Sequence, residues 1–277
     1  MSALAIPLLH RWLLRRLAAP RIAHHSSPAE LGVPAQAVRI IASGGKMLFG
    51  WFVPSRHPVP APAALVMHGW GANAALMLPA LPPLHEAGHA VLLLDARCHG
   101  ESDGEDFTSL PRFAEDIASG LDWLTAQAGV DPTRLAVIGH SVGAGAALLC
   151  ASRRDDVRAV VSLAAFAHPE DMMRRFLSGI HIPWWPLGWA ITHYVSHVIG
   201  ARFDDIAPVN TISRLSCPAL LVHGLRDDTV PFDDARRLLA AAGPDVRLLA
   251  VDADHDLSSA MSTAHDTIVE FLRVSEA

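Results

Sequence analysis

Residues 135–151 bring an apolar run, a glycine-flanked serine and a run of small residues into direct succession. Leu135-Ala136-Val137-Ile138 leads into Gly139-His140-Ser141-Val142-Gly143, and Ala144 to Ala151 follows, mostly alanine, glycine and leucine. The first run reads as a buried strand and the last as a closely packed helix. A strand that turns sharply into a helix needs clearance two residues before and two residues after the turn. Gly139 and Gly143 supply it. Ser141 is therefore expected on a strained turn, with its hydroxyl exposed at the carboxyl edge of a sheet, the arrangement called a nucleophile elbow.

The rest of the chain alternates in the same way. Segments 38–41 and 47–53 read as two strands joined at Ser43-Gly44-Gly45, a hairpin signal. Further strands are expected at 64–68, 90–95, 158–163, 219–223 and 246–251, with helices at 74–87, 111–128 and 257–274. Asp131-Pro132 punctuates before the elbow strand. This order predicts an α/β fold, a mostly parallel doubly wound sheet flanked by helices and starting antiparallel. A hydrophobic content of 51% against 18% charged residues suits strands buried on both faces. Residues 167–213 are too long for a simple crossover and are read as a helical cap inserted over the carboxyl edge, where ligands of open α/β sheets bind. Residues 1–37 then form an N-terminal amphipathic helix and lead-in, and 38–277 the domain.

The apolar stretch in residues 3–21 is broken by His10 and Arg11, too soon to span a bilayer, and it has no positive charge ahead of it as a secretory signal would. Trp12, Leu13 and Leu17 with Arg11, Arg15 and Arg16 form a basic amphipathic pattern suited to peripheral membrane contact, or to packing on the body of the protein. The widely spaced Cys98, Cys150 and Cys217 make neither a disulfide framework nor a zinc site, which fits a cytoplasmic location. A net charge of −6 and the lack of a basic stripe argue against nucleic acid as a partner.

A serine hydroxyl needs a base within hydrogen-bond reach. Among 16 histidines, His255 stands out by position, in the loop after the last strand. The carboxylate that orients it is sought after the preceding strand, where Asp227 is the choice and Asp228 its immediate rival. Asp252, Asp254 and Asp256, beside His255 in sequence, read as loop or capping carboxylates. The chain order serine, acid, histidine is the one this topology requires. Two backbone amides must hold the oxyanion. Val142 supplies one at the helix start, and Trp70, between Gly69 and Gly71 at the end of strand 64–68, supplies the other. Trp184, Trp185 and Trp189, close together in the cap, are candidates for binding an apolar substrate group. His193 and His197 lack the glutamate of a zincin motif and read as a helix face. No metal or organic cofactor is expected.

The motifs His68-Gly69-Trp70-Gly71, Asp95-Ala96-Arg97-Cys98-His99-Gly100-Glu101-Ser102, Gly139-His140-Ser141-Val142-Gly143, His223-Gly224 through Val230-Pro231, and Asp254-His255 together resemble the α/β-hydrolase family. The resemblance implies Ser141 as nucleophile, Asp227 as acid and His255 as base. Cys98 stands where the family commonly has glycine, so a slightly different turn is expected there. The elbow serine separates the chain from relatives that use aspartate, such as haloalkane dehalogenases. Asp131-Pro132-Thr133-Arg134 is similar to dienelactone-hydrolase-like and prolyl-oligopeptidase-like members, although the short lead-in leaves no propeller domain to be expected. Bacterial carboxylesterases and monoglyceride-lipase-like enzymes are also similar. The implied activity is hydrolysis of small-molecule carboxylic esters with apolar short-to-medium groups. Acyl transfer, thioester or amide cleavage, or cofactor-free perhydrolysis by the same residues are the alternatives, and a non-catalytic membrane-associated module is a third class.

Overall fold

The computed structural model describes residues 10, 13–57 and 60–276. Among them, eight strands form one sheet: β1 (Gln36–Ile41), β2 (Met47–Val53), β3 (Ala61–Met67), β4 (Ala90–Leu94), β5 (Val130–His140), β6 (Val157–Leu163), β7 (Ala219–Gly224) and β8 (Val246–Val251). Their order across the sheet is β1-β2-β4-β3-β5-β6-β7-β8. β2 is antiparallel to β1 and β4, and all other neighbours are parallel. The first connection is the expected hairpin, with Ile41 opposite Met47 and both Gly44 and Gly45 at φ 71°.

Parallel strands need crossovers, and the crossovers bury both faces. Alternate β3 residues serve opposite layers. Ala63, Leu65 and Met67 pack with Phe113, Ile117 and Leu121 of helix Leu110–Thr125. Ala64 and Val66 pack in the other layer with Ile268, Phe271 and Leu272 of helix Met261–Ser275. The chain leaves β3 toward β4 on one side and returns over the helix Leu110–Thr125 to β5 on the other. The strand order therefore reverses between β3 and β5, which opens a crevice at their carboxyl ends.

Asp131-Pro132 precedes the apolar run 135–138, as expected, although β5 already begins at Val130. The pairing steps from Ala61↔Val130 to Ala63↔Leu135, so residues 131–134 leave the ladder. Asp131 accepts the Thr133 N–H at 3.0 Å, a local turn that suits a proline with no N–H to give the sheet.

After β4 the chain is held by buried charge. Asp95 accepts the N–H groups of Ala74 and Glu101, each at 2.8 Å, and lies 2.9 Å from His24 Nε2. Burial opposes ionisation of Asp95, but His24 and these amides outweigh it and hold its carboxyl below the usual range. His24 sits against Phe49 and Trp51, with ring centroids 5.2 and 4.6 Å away. The Asn73 side chain donates to the carbonyls of Ile22 and Ala23, which lays the lead-in over these loops. The buried Arg97 guanidinium donates to Asp116 at 2.6 and 2.8 Å. Next to it, Cys98 adopts φ 67°, the left-handed backbone that glycine favours. The turn conformation suited to glycine is thus present despite the side chain, and the Sγ accepts the Glu105 N–H at 3.2 Å. This corrects the expectation of an altered turn.

Between β6 and β7 run the helix Pro169–Gly179, a single turn at Trp184–Gly188, the helix Trp189–Ile199 and short helices at Phe203–Ile206 and Pro208–Thr211. Of the expected N-terminal helix, residues 3–9, 11 and 12 lie outside the described residues. Residues 13–17 are helical, with Leu13 buried. Among the described residues, no helix is long and apolar enough to cross a membrane.

A Cβ at Gly143 would lie 2.3 Å from the His68 carbonyl oxygen and 2.8 Å from that of Met67, so a substituent meets backbone that cannot turn aside. Gly143→Ala is expected to cost about 3 kcal/mol or more in urea unfolding. Gly104→Ala, where the nearest atom is an Arg21 side-chain nitrogen at 3.6 Å, is expected to stay within about 0.5 kcal/mol of the parent.

Candidate active site

Ser141 sits between β5 and the helix Val142–Ala151 at φ 54°, ψ −116°. A non-glycine residue in this region costs roughly 1–3 kcal/mol, which the surroundings must supply. Its N–H donates to the Leu163 carbonyl at 2.8 Å, and its carbonyl accepts from Ala144 and Gly145 at 3.0 and 3.1 Å. A Cβ at Gly139 would fall 2.2 Å from the Gly143 carbonyl oxygen. The two glycines therefore face each other across the turn, and the serine side chain is left to project.

The structure brings Ser141, His255 and Asp227 into one hydrogen-bonded line. Ser141 Oγ is 3.1 Å from His255 Nε2, and His255 Nδ1 is 2.8 Å from Asp227 Oδ2. With Nδ1–H donating to the carboxylate, Nε2 is left to accept the serine proton. Asp227 is buried, and its Oδ1 accepts the N–H groups of Thr229 and Val230 at 3.0 and 2.7 Å. His223 Nε2 lies 3.3 Å from Oδ2. Burial by itself raises the pKa of Asp227. The hydrogen bonds from His223, His255 and Val230 outweigh it and hold the group far below the usual carboxylate range. Asp228 is exposed and meets Thr229, Asp252 pairs with Arg226, and Asp256 accepts the Ser258 N–H.

Val142 follows Ser141 in the chain, and Trp70 follows Gly69, which packs against Ser141. Val142 is the first residue of its helix, where N–H groups have no partner within the helix. Among the described residues, no acceptor engages the amide of either Trp70 or Val142. A Cβ at Gly69 would be 3.1 Å from Ser141 Cβ, so the loop backbone runs against the nucleophile. The Gly69 carbonyl belongs to the same planar peptide as the Trp70 N–H and points the opposite way. That carbonyl accepts from His68 Nδ1 at 2.7 Å and from the Ala72 N–H at 3.2 Å. Fixing the oxygen thus fixes the direction of the Trp70 N–H.

Three histidines not assigned a role from sequence hold this frame. His68 is fully buried, and its Nε2 accepts the Ala96 N–H at 3.0 Å. Burial drives its pKa down to about 4, so it is a neutral tie between the ends of β3 and β4. His140, inside the elbow, donates from Nε2 to the His255 carbonyl at 2.8 Å, tying the His255 loop to the Ser141 turn. Burial lowers its pKa as well. His223 donates to the Val230 carbonyl at 2.8 Å and shapes the acid loop. In sequence, His68, His140 and His223 each sit within two residues of a strand end, and that position was the signal available.

The tryptophans of the 167–213 insertion are placed otherwise. Trp184 carries the Arg174 guanidinium over its ring at 4.0 Å, Trp185 meets Trp189 at 5.7 Å, and Trp189 meets His193 at 4.7 Å. None of these ring contacts reaches Ser141 or His255, and Trp185 is 70% exposed.

Residues 84–273 match the prolyl oligopeptidase family. The chain belongs to that family, and it is a serine hydrolase of the α/β-hydrolase fold. An uncharacterized Mycobacterium tuberculosis protein, Rv2307c, is 31% identical over 208 residues, covering 75% of this chain and 67% of the relative. In fold, the chain is similar to the Pyrococcus furiosus esterase Pf2001, with a TM-score of 0.76 at 21% identity, covering 94% of this chain and 98% of that one. It is also similar to Est1E from Butyrivibrio proteoclasticus, solved with ferulic acid bound, with a TM-score of 0.68 at 20% identity over 86% and 99% of the two chains.

The neutral histidine frame makes stability depend on pH. His68 stays unprotonated when folded down to about pH 4, whereas in the unfolded chain it takes up a proton near 6.5. Its contribution is therefore complete above about pH 6.5 and is lost as the pH falls toward 4. Urea midpoints are expected to drop between pH 7 and pH 5. His68→Gln should be less stable at pH 7 and show a shallower drop, measured by urea unfolding at both pH values.

Proposed function

We propose that the protein hydrolyses carboxylic esters through an acyl-enzyme on Ser141. The observation that carries this reading is the Ser141–His255–Asp227 line, with distances of 3.1 and 2.8 Å, beside two backbone amides that engage no protein acceptor. His255 Nε2 takes the hydroxyl proton as Oγ attacks the ester carbonyl carbon. Negative charge develops on the carbonyl oxygen, and the amides of Val142 and Trp70 stabilise it. Asp227 stabilises the imidazolium that forms and holds its tautomer. Collapse of the tetrahedral intermediate expels the alcohol, which takes the proton from His255. Water, deprotonated by His255, then attacks the acyl carbon and returns Ser141.

Trp70 and Leu225 are exposed on the loops that carry an oxyanion donor and the acid, and they offer apolar surface to an acyl or alcohol group. The likeness to Pf2001, titled an esterase, favours esters. Membership of the prolyl oligopeptidase family favours a second reading, amide or peptide cleavage by the same three residues.

A panel of p-nitrophenyl esters of increasing acyl length, run beside matched p-nitroanilides, decides between them. Ester turnover well above anilide turnover is expected, and the reverse would move the assignment to amides. Ser141→Ala is expected to abolish both hydrolysis and labelling by a fluorophosphonate, and labelling at the parent level would overturn the assignment. Asp227→Asn should lower kcat roughly 10⁴-fold, because the amide can hold His255 in the wrong tautomer.

A further inference from the structure

Within residues 176–189 five large apolar side chains stand in the open: Phe176, Ile180, Trp185, Leu187 and Trp189. Exposure reaches 70% at Trp185 and 50% at Leu187. Trp185, Trp189 and His193 follow one another at intervals of four and touch ring to ring, at 5.7 and 4.7 Å, so they line one side of the helix Trp189–Ile199 and the turn before it. A contiguous exposed apolar face of this kind marks a contact surface. Tryptophan in particular suits the boundary of a bilayer, with an apolar ring and a polar N–H.

Charge identifies the occupant. All 28 acidic residues of the chain lie from Glu30 onward, whereas Arg11, Arg15, Arg16 and Arg21 precede it. The beginning of the chain is thus positive in a protein whose net charge is −6. The structure sets His10 of this segment beside the aromatic helix. His10 Nδ1 is hydrogen-bonded to Tyr194 Oη at 2.6 Å, on the same helix as Trp189 and His193. Leu13 is buried against the body while Arg15 and Arg16 are exposed. Exposed apolar rings on a helix that the arginine-bearing segment touches through His10, in a chain that is otherwise net acidic, match an anionic lipid surface. A second copy of the chain is a poorer fit, because a two-fold contact sets each patch against the same patch and brings two basic segments together.

We infer that the 176–193 face and the arginine-bearing segment ahead of Glu30 together dock the protein on an anionic membrane surface, lying on it without spanning it. This does not rest on the ester reading, and neither measurement below uses turnover.

Flotation of the full chain with equimolar phosphatidylcholine–phosphatidylglycerol vesicles, and with phosphatidylcholine vesicles alone, tests the inference. Binding to the anionic vesicles is expected, weakened by salt, and at least roughly tenfold tighter than to the neutral ones. Trp185→Ser/Leu187→Ser should lower anionic binding by roughly tenfold or more, since both side chains lose apolar area that the bilayer would bury. Arg15→Glu, which reverses the charge of an exposed arginine, should lower it by a similar factor. Far-UV circular dichroism melts establish that both variants fold. Absence of flotation by the full chain, or equal binding of the parent and both folded variants, would overturn the inference. So would sedimentation showing a dimer that Trp185→Ser/Leu187→Ser dissociates without any vesicle binding, since the face would then take a second copy.

Discussion

The close approach of backbone to backbone around Ser141 is the constraint on which the other features depend. The turn exists because hydrogen atoms, not side chains, occupy the space between Gly139 and the Gly143 carbonyl and between Gly143 and the His68 carbonyl. That clearance lets the helix Val142–Ala151 begin against the end of β3. The same contact aims the Val142 amide and the Gly69–Trp70 peptide at one serine. A methyl group at Gly143 would push the helix start away from the end of β3, and one at Gly139 would push the helix start away from the end of β5. The strain in Ser141 is therefore inseparable from the packing that sustains it.

Around this turn the protein uses imidazoles as rigid connectors. An imidazole offers its two ring nitrogens at fixed geometry, and burial favours the uncharged form of His68 and His140. His68 joins two strand ends and sets the direction of an amide that no side chain can carry. His140 fastens the loop of His255 to the loop of Ser141. His223 helps to hold the Asp227 carboxylate in ionised form. Each acts on backbone or on Asp227, and His255 meets the Ser141 hydroxyl. His68, His140 and His223 each engage a backbone partner.

Toward the N-terminus and in the 167–213 insertion the molecule follows a different logic. His24, pressed against Phe49 and Trp51, meets Asp95, and this contact together with its neighbours holds its pKa above the ordinary value despite burial. The pair anchors the lead-in over the strand ends. Farther out, Trp185 and Trp189 meet one another and are exposed, while Trp184 lies under the Arg174 guanidinium.

The sequence by itself determined the alternation of strands and helices and the elbow that exposes Ser141, because those depend on periodicity and on local steric clearance, whereas the order of the strands across the sheet belonged to the tertiary structure. The histidine that meets Ser141 was legible for a related reason: topology sends one histidine, His255, to the loop after the last strand. The choice between Asp227 and Asp228 belonged to tertiary structure, since adjacent residues differ only in which one turns inward to face His255 and His223. So did the roles of His68 and His140, whose partners lie across strand boundaries. Cys98 shows the limit from the other side. Its residue type argued for a changed turn, yet the surrounding hydrogen bonds hold it at φ 67° regardless. Composition also could not tell a buried tryptophan from an exposed one, because burial is set by what packs beside it and not by the side chain's own affinity for water.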